Sequence, residues 1–100
     1  MTIRHVVTWS MAAEDAATRA AHAAEVADRL RALDGVVESI RAIEVGLNSV
    51  DVAGNADVVL IADFDDEAGL QAYQTHPAHQ EVAGFIRSVT GARAAVDFEV

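Results

Sequence analysis

The sequence has no cysteine among its 100 residues, which removes disulfides, thiolate nucleophiles, iron–sulfur clusters and cysteine-ligated zinc from consideration. Lysine is missing too: all seven basic residues are arginine, set against sixteen carboxylates, for a formal charge of −9. Such a balance repels phosphate backbones and anionic lipid, so neither nucleic acid nor a membrane surface is an expected partner. No apolar run approaches the roughly 20 residues of a membrane span. The start of the chain lacks the charged segment and apolar core of a signal peptide, and the expected location is the cytoplasm. No linker-like or low-complexity stretch divides the sequence, so residues 1–100 read as one α+β domain. A domain this small buries a modest share of its surface and gains from association, which makes a second copy of itself the expected partner.

Against this background of absences, one stretch concentrates chemistry. Tyr73-Gln74-Thr75-His76-Pro77-Ala78-His79-Gln80 holds the only tyrosine, the only proline and two of the four histidines. The flanking patterns say what carries it. Thr2 to Ser10 alternates as a first strand, with Ile3, His5, Val7 and Trp9 on one face. From about Glu14 to Leu33 the spacing predicts a long helix with Ala16, Ala20, Ala23, Ala27 and Leu30 inward, ended by Asp34-Gly35. Val37 to Leu47 reads as a second strand. Asp57 to Phe64 reads as a third, apolar on both faces and so in need of cover on both.

Asp65-Asp66-Glu67 opens a short helix in which Leu70 and Tyr73 share a face. Pro77 breaks it and starts a new helix running to about Val89, with Ala78, Val82, Phe85, Ile86 and Val89 inward and Gly91 as its stop. The chain closes on a fourth strand. Ala94, Val96, Phe98 and Val100 lie on one of its faces; Arg93, Asp97 and Glu99 lie on the other, outward face, where Arg93 and Asp97 are available to a dimer interface. The order predicts a ferredoxin-like split βαβ fold, a four-stranded antiparallel sheet with helices on one face.

Within that fold His79 falls in the first turn of the helix opened by Pro77. The positive helix terminus disfavours imidazolium, so His79 suits a general base, and Tyr73 can orient a carbonyl or enolate oxygen. The alternative is that His79 caps a neighbouring backbone group and Tyr73 packs. His76 reads as a local hydrogen-bonding residue at the helix junction, and His22 as solvent-facing. His5, His76 and His79 suffice in number for an open zinc site, but the proline interrupts their spacing, and no metal or cofactor is expected. Trp9 and Phe85 are candidate cavity walls.

The stretches Ile3-Arg4-His5-Val6-Val7, Asp57 to Asp66, Leu70 to His79 and Val96-Asp97-Phe98-Glu99 together resemble the stress-responsive A/B barrel (Dabb) family, the tyrosine followed by His-Pro-Ala-His being the most specific part. The resemblance implies a subunit that pairs with a second copy, so that two sheets close into a dimeric α/β barrel with helices outside and a ligand cavity between each sheet and its helices. It includes members similar to polyketide cyclases, and by matching position their catalytic residues would be Tyr73, His79 and His5. Those members can also carry a histidine where this chain has Val58, which argues against carrying over their substrate or reaction. Three functions are thereby implied: a cofactor-independent lyase or cyclase for a small aromatic or polyketide-like compound, a non-catalytic stress-associated binding module, or a structural oligomer.

Overall fold

Alternation along the two central strands decides which side of the sheet is covered. In the computed structural model, which describes residues 1–100, β1 (Ile3–Met11) buries Ile3, His5, Val7, Trp9 and Met11, and β3 (Val58–Phe64) buries Val58, Leu60, Ala62 and Phe64. The antiparallel register sets His5 against Ala62 and Val7 against Leu60, so both buried sets share one face. β2 (Ala42–Leu47) pairs with β3, and β4 (Thr90–Glu99) pairs with β1, giving one sheet in the order β2-β3-β1-β4. This is the expected four-stranded antiparallel arrangement with helices on one face.

Three helices cover the buried face. From α1 (Ala16–Arg31) come Ala23, Val26, Ala27 and Leu30, from α2 (Glu67–Thr75) Leu70 and Tyr73, and from α3 (Pro77–Val89) Ile86 and Val89. Each helix start is set by a side chain. Asp15 accepts from the Thr18 amide at 2.8 Å and Asp66 from the Gly69 amide at 2.8 Å, each such cap contributing about 1 kcal/mol. No helix is long and apolar enough to cross a membrane.

The other face is uncovered. Val96 and Phe98 are 56% and 42% exposed, and Val59 and Ile61, on the same face across β1 from them, are half-buried. Arg4 pairs across the strands with Asp63 through two hydrogen bonds of 2.9 and 3.0 Å, and the hydrogen bond to Arg4 holds the Asp63 carboxyl below its ordinary range.

Several expectations need correction. Val37 to Arg41 forms turns, and β2 begins only at Ala42, although Val37 is buried and Ile40 packs against the core; apolar side chains delivered from a turn mimic a strand. Ala16 and Ala20 are exposed, and the buried stripe of α1 starts at Ala23 and includes Val26. His22 is half-buried, with its Nδ1 enclosed and unpartnered. α3 ends at Val89 without help from glycine: Thr90 is already extended, and Gly91 lies inside β4. The faces of β4 are also reversed. Register puts Val96 opposite Val6 and Asp97 opposite His5, so the apolar set looks out from the open face while Arg93 and Asp97 stand on the helix-covered side.

Candidate active site

The break between α2 and α3 brings the central groups together. Proline cannot continue the helix, and the residue before it is pushed to extended geometry; His76 has φ −63° and ψ 135° and ends α2 while opening α3. Its Nδ1 accepts from the Ala78 amide at 3.0 Å, the local role expected of it. The reversal folds the first turn of α3 back onto the last turn of α2. His79 thereby packs on Tyr73 with ring centroids 4.3 Å apart. His79 Nδ1 lies 3.1 Å from the Gln74 carbonyl, a geometry in which Nδ1–H donates and Nε2 keeps its lone pair. Gln80 Nε2 donates to the same oxygen at 2.8 Å.

On the sheet side, His5 projects from β1 to a centroid distance of 6.1 Å from Tyr73. Its Nδ1 is 2.5 Å from Asp97 Oδ1 on the neighbouring strand. A carboxylate in that position orients the ring and fixes the proton on Nδ1, leaving Nε2 as the acceptor. His5, Tyr73 and His79 all line one cavity of about 270 Å³. Val7, Trp9, Leu30, Leu60, Ala83 and Ile86 supply its apolar walls; Gln74, Thr90, Arg87 and Arg93 supply further polar groups.

Burial sets the electrostatics. Tyr73 is fully buried, and its hydroxyl has no hydrogen-bond partner. An unsatisfied group of this kind costs about 1–3 kcal/mol, a standing demand for an oxygen or nitrogen that the chain does not provide. Burial pushes the phenol up to about 12, with the charge of Arg93 pulling the other way. Burial is also the largest cause holding His79 below its ordinary 6.5, reinforced by the positive charges of Arg87 and Arg93 and opposed by the bond to Gln74. A neutral imidazole and a protonated phenol therefore coexist at neutral pH.

The three residues singled out in the sequence thus meet at one cavity, and Trp9 is one of its walls. Phe85 is not: it lies under the Arg29 guanidinium, 3.9 Å from the ring centroid, away from the cavity. Sequence reasoning missed Asp97, Arg87 and Arg93 as site residues. The alternation of β4 contained Arg93 and Asp97, but only the pairing with β1 shows which way they face.

No protein of curated function matches the sequence. Solved structures do share its fold. A dimeric protein of unknown function and ferredoxin-like fold from Bacteroides fragilis is 25% identical with a TM-score of 0.90, over 99% of this chain and 96% of that one. Two enzymes share the fold at lower identity. The hydroxynitrile lyase of Passiflora edulis is 12% identical with a TM-score of 0.79, over 97% of this chain and 91% of that one. SnoaB, a cofactor-independent oxygenase from Streptomyces nogalater, is 15% identical with a TM-score of 0.76, over 99% and 92%. The sequence model of the stress responsive A/B barrel domain matches residues 3–100, nearly the full length, and the chain belongs to that family.

Proposed function

We propose that the protein is a cofactor-independent acid–base catalyst of the cytoplasm, a lyase or cyclase for a small aromatic or polyketide-like compound, working as a homodimer. The observation that carries this reading is the Tyr73 hydroxyl, buried without a partner in a cavity that also holds two histidines whose Nδ1 positions are engaged. His79 Nε2 removes a proton from the carbon next to a substrate carbonyl, a role worth about 10²–10⁴ in rate. Negative charge develops on the carbonyl oxygen, and the Tyr73 O–H donates to it, worth about 10²–10³ more. The resulting enolate closes on a second carbonyl or expels a leaving group. His79 returns the proton, with His5, oriented by Asp97, as the second proton carrier. The relatives named above as a lyase and an oxygenase work on the same fold, which supports a cavity suited to small molecules. The open apolar face and the dimeric neighbour support pairing.

Hydrogen–deuterium exchange at the α-carbon of a panel of aryl ketones and aryl 1,3-diketones, followed by NMR, tests the chemistry before a natural substrate is known. Wild type should accelerate exchange, and His79→Ala, at unchanged mass and melting temperature, should not. Exchange that survives in a folded His79→Ala would sink the proposal.

A second reading has its own support. The Gln74 carbonyl is gripped by both His79 and Gln80, and His76 caps α3, so the motif also holds the helix junction. A binding module without turnover would show a melting temperature several degrees lower in His79→Ala and no exchange in wild type.

A further inference from the structure

Charge is distributed against the overall balance. The chain carries sixteen carboxylates and seven arginines, yet no carboxylate lines the cavity, whereas Arg87 and Arg93 both do. The other five arginines are committed. Arg4 holds Asp63, and Arg19 donates to the carbonyls of Ala13 and Glu14. Arg29 pairs with Glu25, Arg31 with Asp28 and Arg41 with Asp65. Arg87 and Arg93 make no such bond or pair within the chain. They come from separate elements, the last turn of α3 and the middle of β4, and both are exposed, so they stand at the cavity mouth.

Two unpaired cations at the mouth of a half-apolar cavity favour an anion entering it. A guanidinium cannot be deprotonated and presents a planar fork that fits a carboxylate through two parallel bonds. At −9 overall, the protein repels a dianion more strongly than a monoanion at long range, so carboxylate is favoured over phosphate. The cavity, at about 270 Å³, lies just under the roughly 300–1,000 Å³ of drug-sized sites, enough for one ring and short substituents.

We propose that the ligand is a single-ring or similarly compact monocarboxylic acid, its carboxylate docked on Arg93 with Arg87 as the second cation, and a carbonyl or hydroxyl oxygen placed at Tyr73. This rests on the cavity being the functional site and narrows the substrate class given above. It does not need the site to turn anything over, and the test separates the two.

The only tryptophan, Trp9, is buried in the cavity wall and reports binding by its own fluorescence. Wild type is titrated with 2-hydroxybenzoate, its amide and 2-hydroxyphenyl phosphate, correcting for absorbance, with calorimetry in parallel. The acid should bind at least about tenfold more tightly than the amide, as a charge-assisted pair predicts, and more tightly than the phosphate. Arg93→Gln should lose that preference, its affinity for the acid falling to about its affinity for the amide; Arg93→Lys should keep part of it; Arg87→Gln should lose a smaller share. Phosphate preferred over carboxylate, amide bound as well as acid, no binding of the acid, or an Arg93→Gln dimer that binds the acid like wild type would each overturn the proposal. His79→Ala should retain the acid preference. Loss of exchange chemistry with the preference intact leaves the anion site standing without catalysis; the reverse outcome removes the anion site alone.

Discussion

The two faces of the sheet are built from alternate residues of the same strands, yet they solve opposite problems. Leu60 and Ile61 are neighbours on β3: Leu60 lies under the helices, 1% exposed, and Ile61 lies on the open face. The covered face mixes a hydrophobic core with a half-apolar cavity, and the two histidines in it are each held by a second element, His5 by β4 and His79 by α2. The open face has one ion pair, Arg4–Asp63, set among Val6, Ile61, Val96 and Phe98. The difference teaches that apolar alternation marks two distinct surfaces here, one closed within the subunit and one left open, where the proposed homodimer would pair.

The largest effect expected from breaking this division is on assembly. Replacing Val96 and Phe98 together by Asp puts two charges where a partner sheet must pack, and each unpaired buried charge costs several kcal/mol, on the order of 3–5. Sedimentation at about 10 μM should show a dimer for wild type and a monomer for the double variant. A dimer that persists would move the interface elsewhere.

Next in size is the contrast within β3. Leu60→Ala opens a cavity under α1 and should lose about 2–5 kcal/mol of stability at any protein concentration. Ile61→Ala touches only the open face, so its loss should depend on concentration, near zero where both proteins are monomeric and rising to a plateau where both are dimeric. Equal, concentration-independent losses in both would erase the distinction between the faces.

Tyr73→Phe sharpens the comparison in the other direction. The ring stays packed against Phe64 at 5.1 Å between centroids, and the unsatisfied hydroxyl disappears. Stability should be unchanged or rise by up to about 1–3 kcal/mol, while α-carbon exchange falls by about 10²–10³. A stability loss would mean the hydroxyl had a structural partner.

Most of the fold was legible from local pattern, because β1 and β3 sit at the centre of the sheet and their burial alternates without interruption. The junction was legible as well: one proline after one histidine dictates the break, and the break dictates that Tyr73 and His79 meet. What failed was orientation at the edge. In β4 the apolar residues alternate cleanly, but whether that side faces helices or a partner depends on its register with β1, almost a full chain length away. Asp97 and Arg93 therefore read as outward residues available to an interface, whereas both stand on the helix-covered side, Arg93 lining the cavity and Asp97 behind it on His5. The limits of β2 and α1 failed for a related reason: Val37 and Ile40 reach the core from turns, and the first turns of α1 lie beyond it, so residue type alone overstates both elements.

The smallest predicted effect is the titration of His79, and it tests the cavity's character directly. Burial is the largest cause of its lowered value, so the proton binds the unfolded chain at a pH where the folded site still refuses it. The sign follows: the stabilising contribution is complete above the ordinary 6.5 and is lost as pH falls through the lower folded value. An NMR titration of the imidazole Hε1 signal should give a midpoint below 6.5. Arg93→Gln should move it up, because a positive neighbour is removed, but should not restore 6.5, because the apolar walls remain. A compact carboxylate at the mouth should also raise it, since the anion offsets the arginines that repel the proton. A wild-type midpoint at or above 6.5 would mean that water reaches the ring freely, and the covered face would then hold a surface histidine instead of a shielded base.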